Sequence, residues 1–238
     1  KIIQFFFLVM IITLLLLSFI LFSQYQRDGL EFIVFSVGQG DSILIRTLSR
    51  RDILIDGGPD NTLVYKLGQY LPFYDREIDL IILTHPHSDH ITGLIEVLKR
   101  YQVKKVLMTG VKYYSAEYLA FKEEISKRHI PVEIVTHRGE ILLDQDTKLD
   151  IIFPNQSFFN KENKNLNNTS IVAKLIYAST SIMLTGDFED EENLVAKDLD
   201  LSADILKVGH HGSRTANSLD FLAAVKPEIA VISSGLGN

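Results

Sequence analysis

The chain has 238 residues, 46% of them hydrophobic, which is enough apolar material for one sizeable core and too little for two large independent domains. It has no cysteine, which excludes disulfide frameworks, thiolate metal ligands and thiol nucleophiles, so any metal must be held by His, carboxylate or amide groups. A formal net charge of −6 argues against nucleic-acid binding through a broad basic surface, though not against an enzyme that grips phosphates through metals.

From Ile2 to Phe22 the sequence reads IIQFFFLVMIITLLLLSFILF, uncharged and interrupted only by Gln4, Thr13 and Ser18. A helix of this length, at ~1.5 Å per residue, spans a ~30 Å hydrocarbon core. A cleaved signal peptide has a shorter apolar part and small residues at its exit, whereas this one leaves through Leu21-Phe22-Ser23-Gln24-Tyr25. A buried core helix is the remaining alternative. The pattern predicts a transmembrane anchor over residues 1–24, a short linker over 25–30 and a single folded domain over 31–238. The flanking basic residues, Lys1 and Arg27, barely define orientation; an extracytoplasmic position for the domain is the expectation. The absence of an initiator Met suggests residues upstream, including further spans, and the stop at Asn238 soon after a strand suggests that residues completing the site follow.

After Asp28-Gly29 the pattern changes to short apolar runs bounded by turn residues, predicting strands over 31–37, 42–48 and 52–56. Further strands are predicted over 79–83, 103–108, 132–135, 148–153, 171–177, 181–185, 203–208 and 229–233. Between them come amphipathic helices over 62–70, 91–100, 116–128, 189–198 and 217–225. Strands in a block, then strands interleaved with helices, predict two packed sheets covered by helices, an α+β class. Asn155 to Asn168, rich in Asn and Lys, reads as an exposed loop.

The chemistry-bearing residues fall at strand ends. The strand ending at Leu83 runs into Thr84-His85-Pro86-His87-Ser88-Asp89-His90, and a helix follows at once. Alternation places His85 and His87 on one side, able to share a metal, while Asp89 and His90 at the turn into the helix can serve a second ion. Imidazole and carboxylate ligands suit Zn²⁺, Mn²⁺ or Fe. Ile53-Leu54-Ile55-Asp56-Gly57-Gly58 and Ile182-Met183-Leu184-Thr185-Gly186-Asp187 each deliver an aspartate beside glycine, where backbones can approach closely. Singly, each is more often a turn former or helix cap, and the rest of the pattern raises the functional reading. The strand 203–208 delivers Gly209-His210-His211-Gly212-Ser213, a ligand plus a proton donor or phosphate contact. His129 and His137, beside a helix end and a turn, are expected on the surface.

In combination these motifs resemble the metallo-β-lactamase superfamily: IDGG at 55–58, HPHSDH at 85–90, TGD at 185–187 and GHHGS at 209–213. With Val37-Gly38-Gln39-Gly40-Asp41-Ser42, the Asn-rich NNTSIV at 167–172 and LKVGHHGS at 206–213, the chain from about 30 to 238 resembles more narrowly the C-terminal hydrolase domain of the ComEC/Rec2 competence proteins, which form a DNA-uptake channel. The resemblance implies an αββα sandwich with two divalent ions, Zn or Mn, at one edge between the sheets. It assigns His85 and His87 to one metal, Asp89 and His90 to the other, and Asp187 as the bridge. His211 is the preferred further ligand and His210 the substrate contact, an order that stays open. Asp56 would orient ligands, and Asp41 joins it as a supporting or substrate-facing group. One departure stands out. Superfamily hydrolases usually supply a third histidine to the first metal between HxHxDH and the bridging Asp, and here only His129 and His137 lie in that interval. The equivalent region carries Asn167-Asn168-Thr169-Ser170, so Asn168 is expected to approach metal or substrate at a more open first site.

The mechanism implied is attack by a metal-activated hydroxide on a phosphodiester, catalysed with Asp89, His210 and Ser213. His210, Ser213 and Lys207 are candidates to neutralise charge or protonate the leaving oxygen, Lys207 the least favoured because a lysine inside a strand usually faces solvent. The leading expectation is a membrane-anchored nuclease or phosphodiesterase acting on single-stranded DNA during uptake, in company with other uptake components. The alternatives are a hydrolase of cell-envelope phosphodiesters and a weakly active DNA-translocation module.

Overall fold

The computed structural model describes residues 2–25, 29–197 and 199–236, and divides into two units, Lys1–Leu30 and Glu31–Asn238. The first unit is one helix, α1 (Ile2–Tyr25). Its stretch Ile2–Phe19 is long and apolar enough to cross a membrane, and none of it is buried against protein. The hydroxyls of Thr13 and Ser18 donate back to the carbonyls of Val9 and Leu15, each at 2.9 Å, so neither is left unsatisfied among the apolar side chains.

The second unit begins with an antiparallel meander, β1 (Glu31–Val34), β2 (Ile43–Arg46) and β3 (Asp52–Ile55), followed by α2 (Thr62–Tyr70). Next come β4 (Glu77–Ile78), β5 (Leu80–Ile82), α3 (Ser88–Arg100), β6 (Gln102–Val103), β7 (Val106–Met108), α4 (Ala116–Lys127) and β8 (Val132–Ile134). A second meander follows, β9 (Gly139–Leu142), β10 (Thr147–Phe153), β11 (Val172–Tyr177) and β12 (Thr180–Leu184). The chain then makes α5 (Glu191–Val195), β13 (Ile205–Lys207), α6 (Leu219–Val225) and β14 (Ile229–Val231).

One sheet has the order β1-β2-β3-β5-β7-β8 and the other β14-β13-β12-β11-β10-β9. Each joins an antiparallel meander to parallel strands: β3, β5, β7 and β8 run parallel in the first, β12, β13 and β14 in the second. Alternation explains the layers. Leu44, Leu54 and Ile81 join Leu94, Val97 and Phe121 of α3 and α4 in one buried cluster, whereas Ile43, Ile45, Ile53, Ile55 and Ile82 lie on the opposite face of the same strands and are buried too. In the second sheet Met183 and Leu206 pack with Leu194 and Phe221 of α5 and α6. Helices outside and two sheets inside make the expected αββα sandwich.

Several predicted boundaries move. The helix predicted over 91–100 begins at Ser88, because His87 holds extended backbone (φ −69°, ψ 151°) as its N-cap and the turn can start straight after it. The helix predicted over 189–198 has its regular part only at Glu191–Val195, and β9 and the small β4-β6 pair were not predicted. The stretch 155–168 is not all exposed loop: Phe158 packs in the second core and Asn167 is buried at the start of a 3-10 turn.

Candidate metal centre

The residues of interest leave the C-terminal ends of β3, β5, β12 and β13, at the same edge of both sheets, where open α/β sheets present their ligands. On the first sheet a backbone-to-backbone contact fixes the geometry. The amide of Gly57 donates to the carbonyl of His90 at 2.6 Å, and that of Gly93 to the carbonyl of Gly58 at 3.2 Å. A Cβ on Gly93 would lie 2.0 Å from the Gly57 carbonyl oxygen, so the first turn of α3 can rest on the loop after β3 only because both positions lack side chains. That turn carries Asp89 and His90. Asp56, at the head of the same loop with φ 56°, accepts from the amide and hydroxyl of Thr84 (2.8 and 2.6 Å) and meets His90 Nδ1 at 2.8 Å. With Nδ1 so held, His90 Nε2 faces the second sheet.

From the second sheet, Asp187 follows Thr185-Gly186, and its amide is met by the Ser170 hydroxyl at 3.3 Å. Asp187 Oδ2 lies 3.2 Å from His90 Nε2, 3.5 Å from His211 Nε2, 3.8 Å from His85 Nε2 and 4.0 Å from His210 Nε2. Four imidazoles thus surround one carboxylate oxygen. His211 Nε2 is also 3.2 Å from Asp89 Oδ2, and the Nδ1 of His211 is fixed by the carbonyl of Ser233 at 3.0 Å. Both histidines of the pair take left-handed backbone, φ 46° at His210 and 54° at His211, which turns them into the site and out of the strand direction. His85 Nε2 lies 3.1 Å from His87 Nδ1, placing these two side by side on the other flank of Asp187.

The electrostatics divide the imidazoles. Burial holds His85 well below its usual range, with the neighbouring charge of His90 adding to it, and burial also lowers His87; both are neutral and ready as ligands. For His90 and His211 burial works the same way but is overcome by carboxylates. Asp187 and Asp56 hold His90 well above 6.5, and Asp187, Asp41 and Asp89 push His211 up to about 12. Burial would raise Asp187, yet the surrounding imidazoles hold it far below the usual carboxylate range. Protons therefore occupy the places where cations would stabilise the same carboxylates.

Other predicted site residues go elsewhere. Lys207, expected as a supporting or substrate-facing group, is 1% exposed, and its ammonium donates to Asp41 Oδ2 at 2.8 Å, with Oδ1 of the same carboxylate in ion-pair range at 2.8 Å. Asp41 in turn lies 3.6 Å from His211 Nδ1, so this pair sits behind the histidine, away from the opening. Asn168, expected near metal or substrate, uses its carboxamide oxygen to accept from the amides of Glu189 and Asp190, both at 3.0 Å, bracing the segment after Asp187. Ser213 is half-buried and bonds the Thr215 hydroxyl at 2.9 Å. His129 and His137 are exposed, as expected. One residue was missed: Glu189, whose Oε1 lies 2.9 Å from His210 Nδ1 and fixes that ring. Its only sequence signal is its place two residues after Asp187.

Asp89, His90, Asp187 and His211 offer ligand atoms all within 4.8 Å of one another. Asp187 Oδ1 is buried without a hydrogen-bond partner among the described residues, a cost that a coordinated cation removes. Nitrogen and carboxylate donors without thiolate fit Zn²⁺ or Mn²⁺. The residues fit a divalent metal, with His85 and His87 a second pair beside the first cluster.

The chain is similar to several known proteins. ComE operon protein 3 of Bacillus subtilis is 28% identical over 229 residues, covering 87% of this chain. Competence protein ComA of Neisseria gonorrhoeae is 32% identical over 214 residues, covering 86% of it. The chain spans 29% and 27% of those two proteins. Among solved structures, the metallo-beta-lactamase fold protein YhfI of Bacillus subtilis superposes with a TM-score of 0.55 at 14% identity, over 87% of this chain and 88% of that one. The family model of the metallo-beta-lactamase superfamily matches residues 35–235, and the chain belongs to that superfamily.

Proposed function

We propose that the chain is a membrane-anchored, metal-dependent phosphodiesterase that cleaves DNA in a competence-type uptake system, its domain on the extracytoplasmic side. The observation that carries the reading is the buried Asp187 carboxylate, with one oxygen amid four imidazoles and the other without a partner. Its competence-type relatives supply the substrate class, and α1 supplies the anchor. In this reading His85, His87, Asp89, His90, Asp187 and His211 hold two divalent ions. When bound, those ions would supply a water activated near neutral pH and a polarised phosphoryl oxygen.

The remaining steps belong to the chain's own side chains. Asp56 and the Ser233 carbonyl fix the rings of His90 and His211 from behind. Glu189 fixes the Nδ1 side of His210 and leaves Nε2 turned towards the Asp187 end of the site, where it can hand a proton to the leaving oxygen. Thr215 donates to the same Glu189 carboxylate at 2.5 Å and keeps it in place.

The test is cleavage of end-labelled single-stranded DNA by the full chain with Mn²⁺, Zn²⁺ or Mg²⁺, against an Asp187→Ala control. Activity lost in the variant is the expected result; no cleavage with any of the three metals sinks the nuclease reading. A second reading, an envelope phosphodiester hydrolase, draws on the acidic hollow beside His210 lined by Glu189, Asp190 and Glu192, which repels a polyanion. Hydrolysis of bis-p-nitrophenyl phosphate without DNA cleavage would select it.

A further inference from the structure

α3 is 13 residues long, carries metal-site residues in its first turn and ends at Arg100, about 15 Å beyond His90 at ~1.5 Å per residue. The surface around that far end has no part in the chemistry. There Tyr74, Arg76, Lys99, Arg100, Tyr101 and Arg128 line one hollow. The loop that rims it displays Phe73 at 84% exposure and Tyr74 at 58%, their rings edge to face at 5.4 Å. An apolar ring beside a tyrosine with its polar tip, flanked by cations, suits a protein surface at lipid headgroups.

The charges suit the same occupant. The lining has four cations against two carboxylates, Asp75 and Glu77. Both acids are already engaged by cations outside the lining, Asp75 by Arg46 at 2.9 Å and Glu77 by Lys104. Lys99 and Arg100 share the single carboxylate of Glu96, and Arg128 pairs with Glu124, in exposed contacts that lipid phosphates can replace at little cost. The Arg76 guanidinium lies over the Tyr101 ring at 5.4 Å, presented and not buried in an ion pair.

The position of this face along the chain points the same way. Only residues 26–30 separate Tyr25 from Glu31, a tether of at most about 20 Å when extended, so a domain entered at Glu31 stays within reach of the membrane that holds the helix. Glu31 accepts the Tyr70 hydroxyl at 2.6 Å, and Tyr70 closes α2 just three residues before Phe73. The chain's entry to the domain and the aromatic loop therefore share one side.

We propose that Phe73 and Tyr74, flanked by Arg76, Lys99, Arg100 and Arg128, dock the hydrolase domain on the bilayer that holds α1, with the rings at headgroup level and the cations on lipid phosphate. The inference rests on the reading of α1 as a membrane span. It places the metal centre on the side of the domain away from the lipid, open to a strand arriving from the aqueous phase.

The chain contains no tryptophan, so a single introduced one is a clean reporter. The full chain is reconstituted in vesicles of mixed zwitterionic and anionic phospholipid, with brominated acyl chains as quencher. Three variants are read: Phe73→Trp in the loop, Leu219→Trp at an 85% exposed position on α6, and Phe19→Trp in α1. The proposal expects blue-shifted, bromine-quenched emission from Phe73→Trp and Phe19→Trp, and red, iodide-quenched emission from Leu219→Trp. Reversing Lys99 and Arg100 to Glu in the Phe73→Trp chain should cut the ratio of docked to undocked protein about fivefold per cation removed. Lipid quenching at Phe19→Trp with water-exposed emission at Phe73→Trp overturns the docking while leaving the span intact. Absence of lipid quenching at Phe19→Trp removes the span, and the proposal with it.

Discussion

Lys207→Met is the most informative single change outside the ligands. Its side chain is 1% exposed and its ammonium pairs with Asp41, itself 2% exposed, so the substitution keeps the side-chain volume and leaves a carboxylate in the core without its counter-charge. Removing one member of a buried ion pair costs about 3–5 kcal/mol. For a domain of this size that corresponds to a fall in Tm of roughly 6–20 °C, measurable by calorimetry on metal-free protein. The pH dependence fixes the cause. Burial raises the Asp41 pKa, and Lys207 and His211 overcome this and bring it down to about 2. A depressed folded pKa contributes stability that is present above the unfolded value near 3.8 and is lost as pH falls through about 2. In the variant the carboxyl rises and takes a proton, so the deficit relative to the parent is largest at pH 7 and shrinks towards pH 4. Because Asp41 sits behind His211, metal affinity should also fall about 10–100-fold, as for other groups that orient a ligand. Adding Asp41→Asn should return part of the lost stability, the two changes being coupled. A Lys207→Met protein within about 0.5 kcal/mol of the parent at pH 7, with unchanged metal affinity, refutes the reasoning.

Metal binding should release up to two protons at pH 7, because His90 and His211 are held protonated by their carboxylates and must be neutral to ligate. Titration calorimetry in buffers of different ionisation enthalpy reads that number, and affinity should rise with pH. Glu189→Gln and His210→Gln should both keep metal affinity and lower the phosphodiesterase rate about 10²–10⁴-fold, checked by metal titration beside turnover. Gly93→Ala should cost about 1–3 kcal/mol in urea denaturation, since its methyl would meet the Gly57 carbonyl, and should weaken metal binding through the displaced first turn of α3.

Much of the candidate centre was legible because its residues come in short strings. His85 to His90 lie within six residues at one strand end, and Asp187 and His211 stand beside glycines at two others, so local pattern sufficed. What stayed hidden depends on partners far apart in the chain. Asp41 and Lys207 are 166 positions apart, and no period or spacing announces that a strand lysine will turn inward to meet a loop aspartate. Asn168 looked like a stand-in for a missing ligand, yet the unsatisfied amides of Glu189 and Asp190 claim its oxygen first. Glu189 carried no motif of its own. The late start predicted for α3 failed for a local reason: the extended backbone of His87 lets the helix begin one residue later, at Ser88.

The arrangement around Asp187 also bears on how the domain holds together. His85, Asp89 and His90 belong to the layer built on the first sheet, whereas Asp187 and His211 belong to the layer built on the second, and each layer has its own buried cluster. Ions at their junction would act as rivets. Loading should raise the unfolding temperature with metal concentration by mass action. Chelation would leave two layers free to shear, so that any slip of one past the other disassembles the ligand set at once. Availability of the metal would then govern the rigidity of the whole sandwich as well as its chemistry.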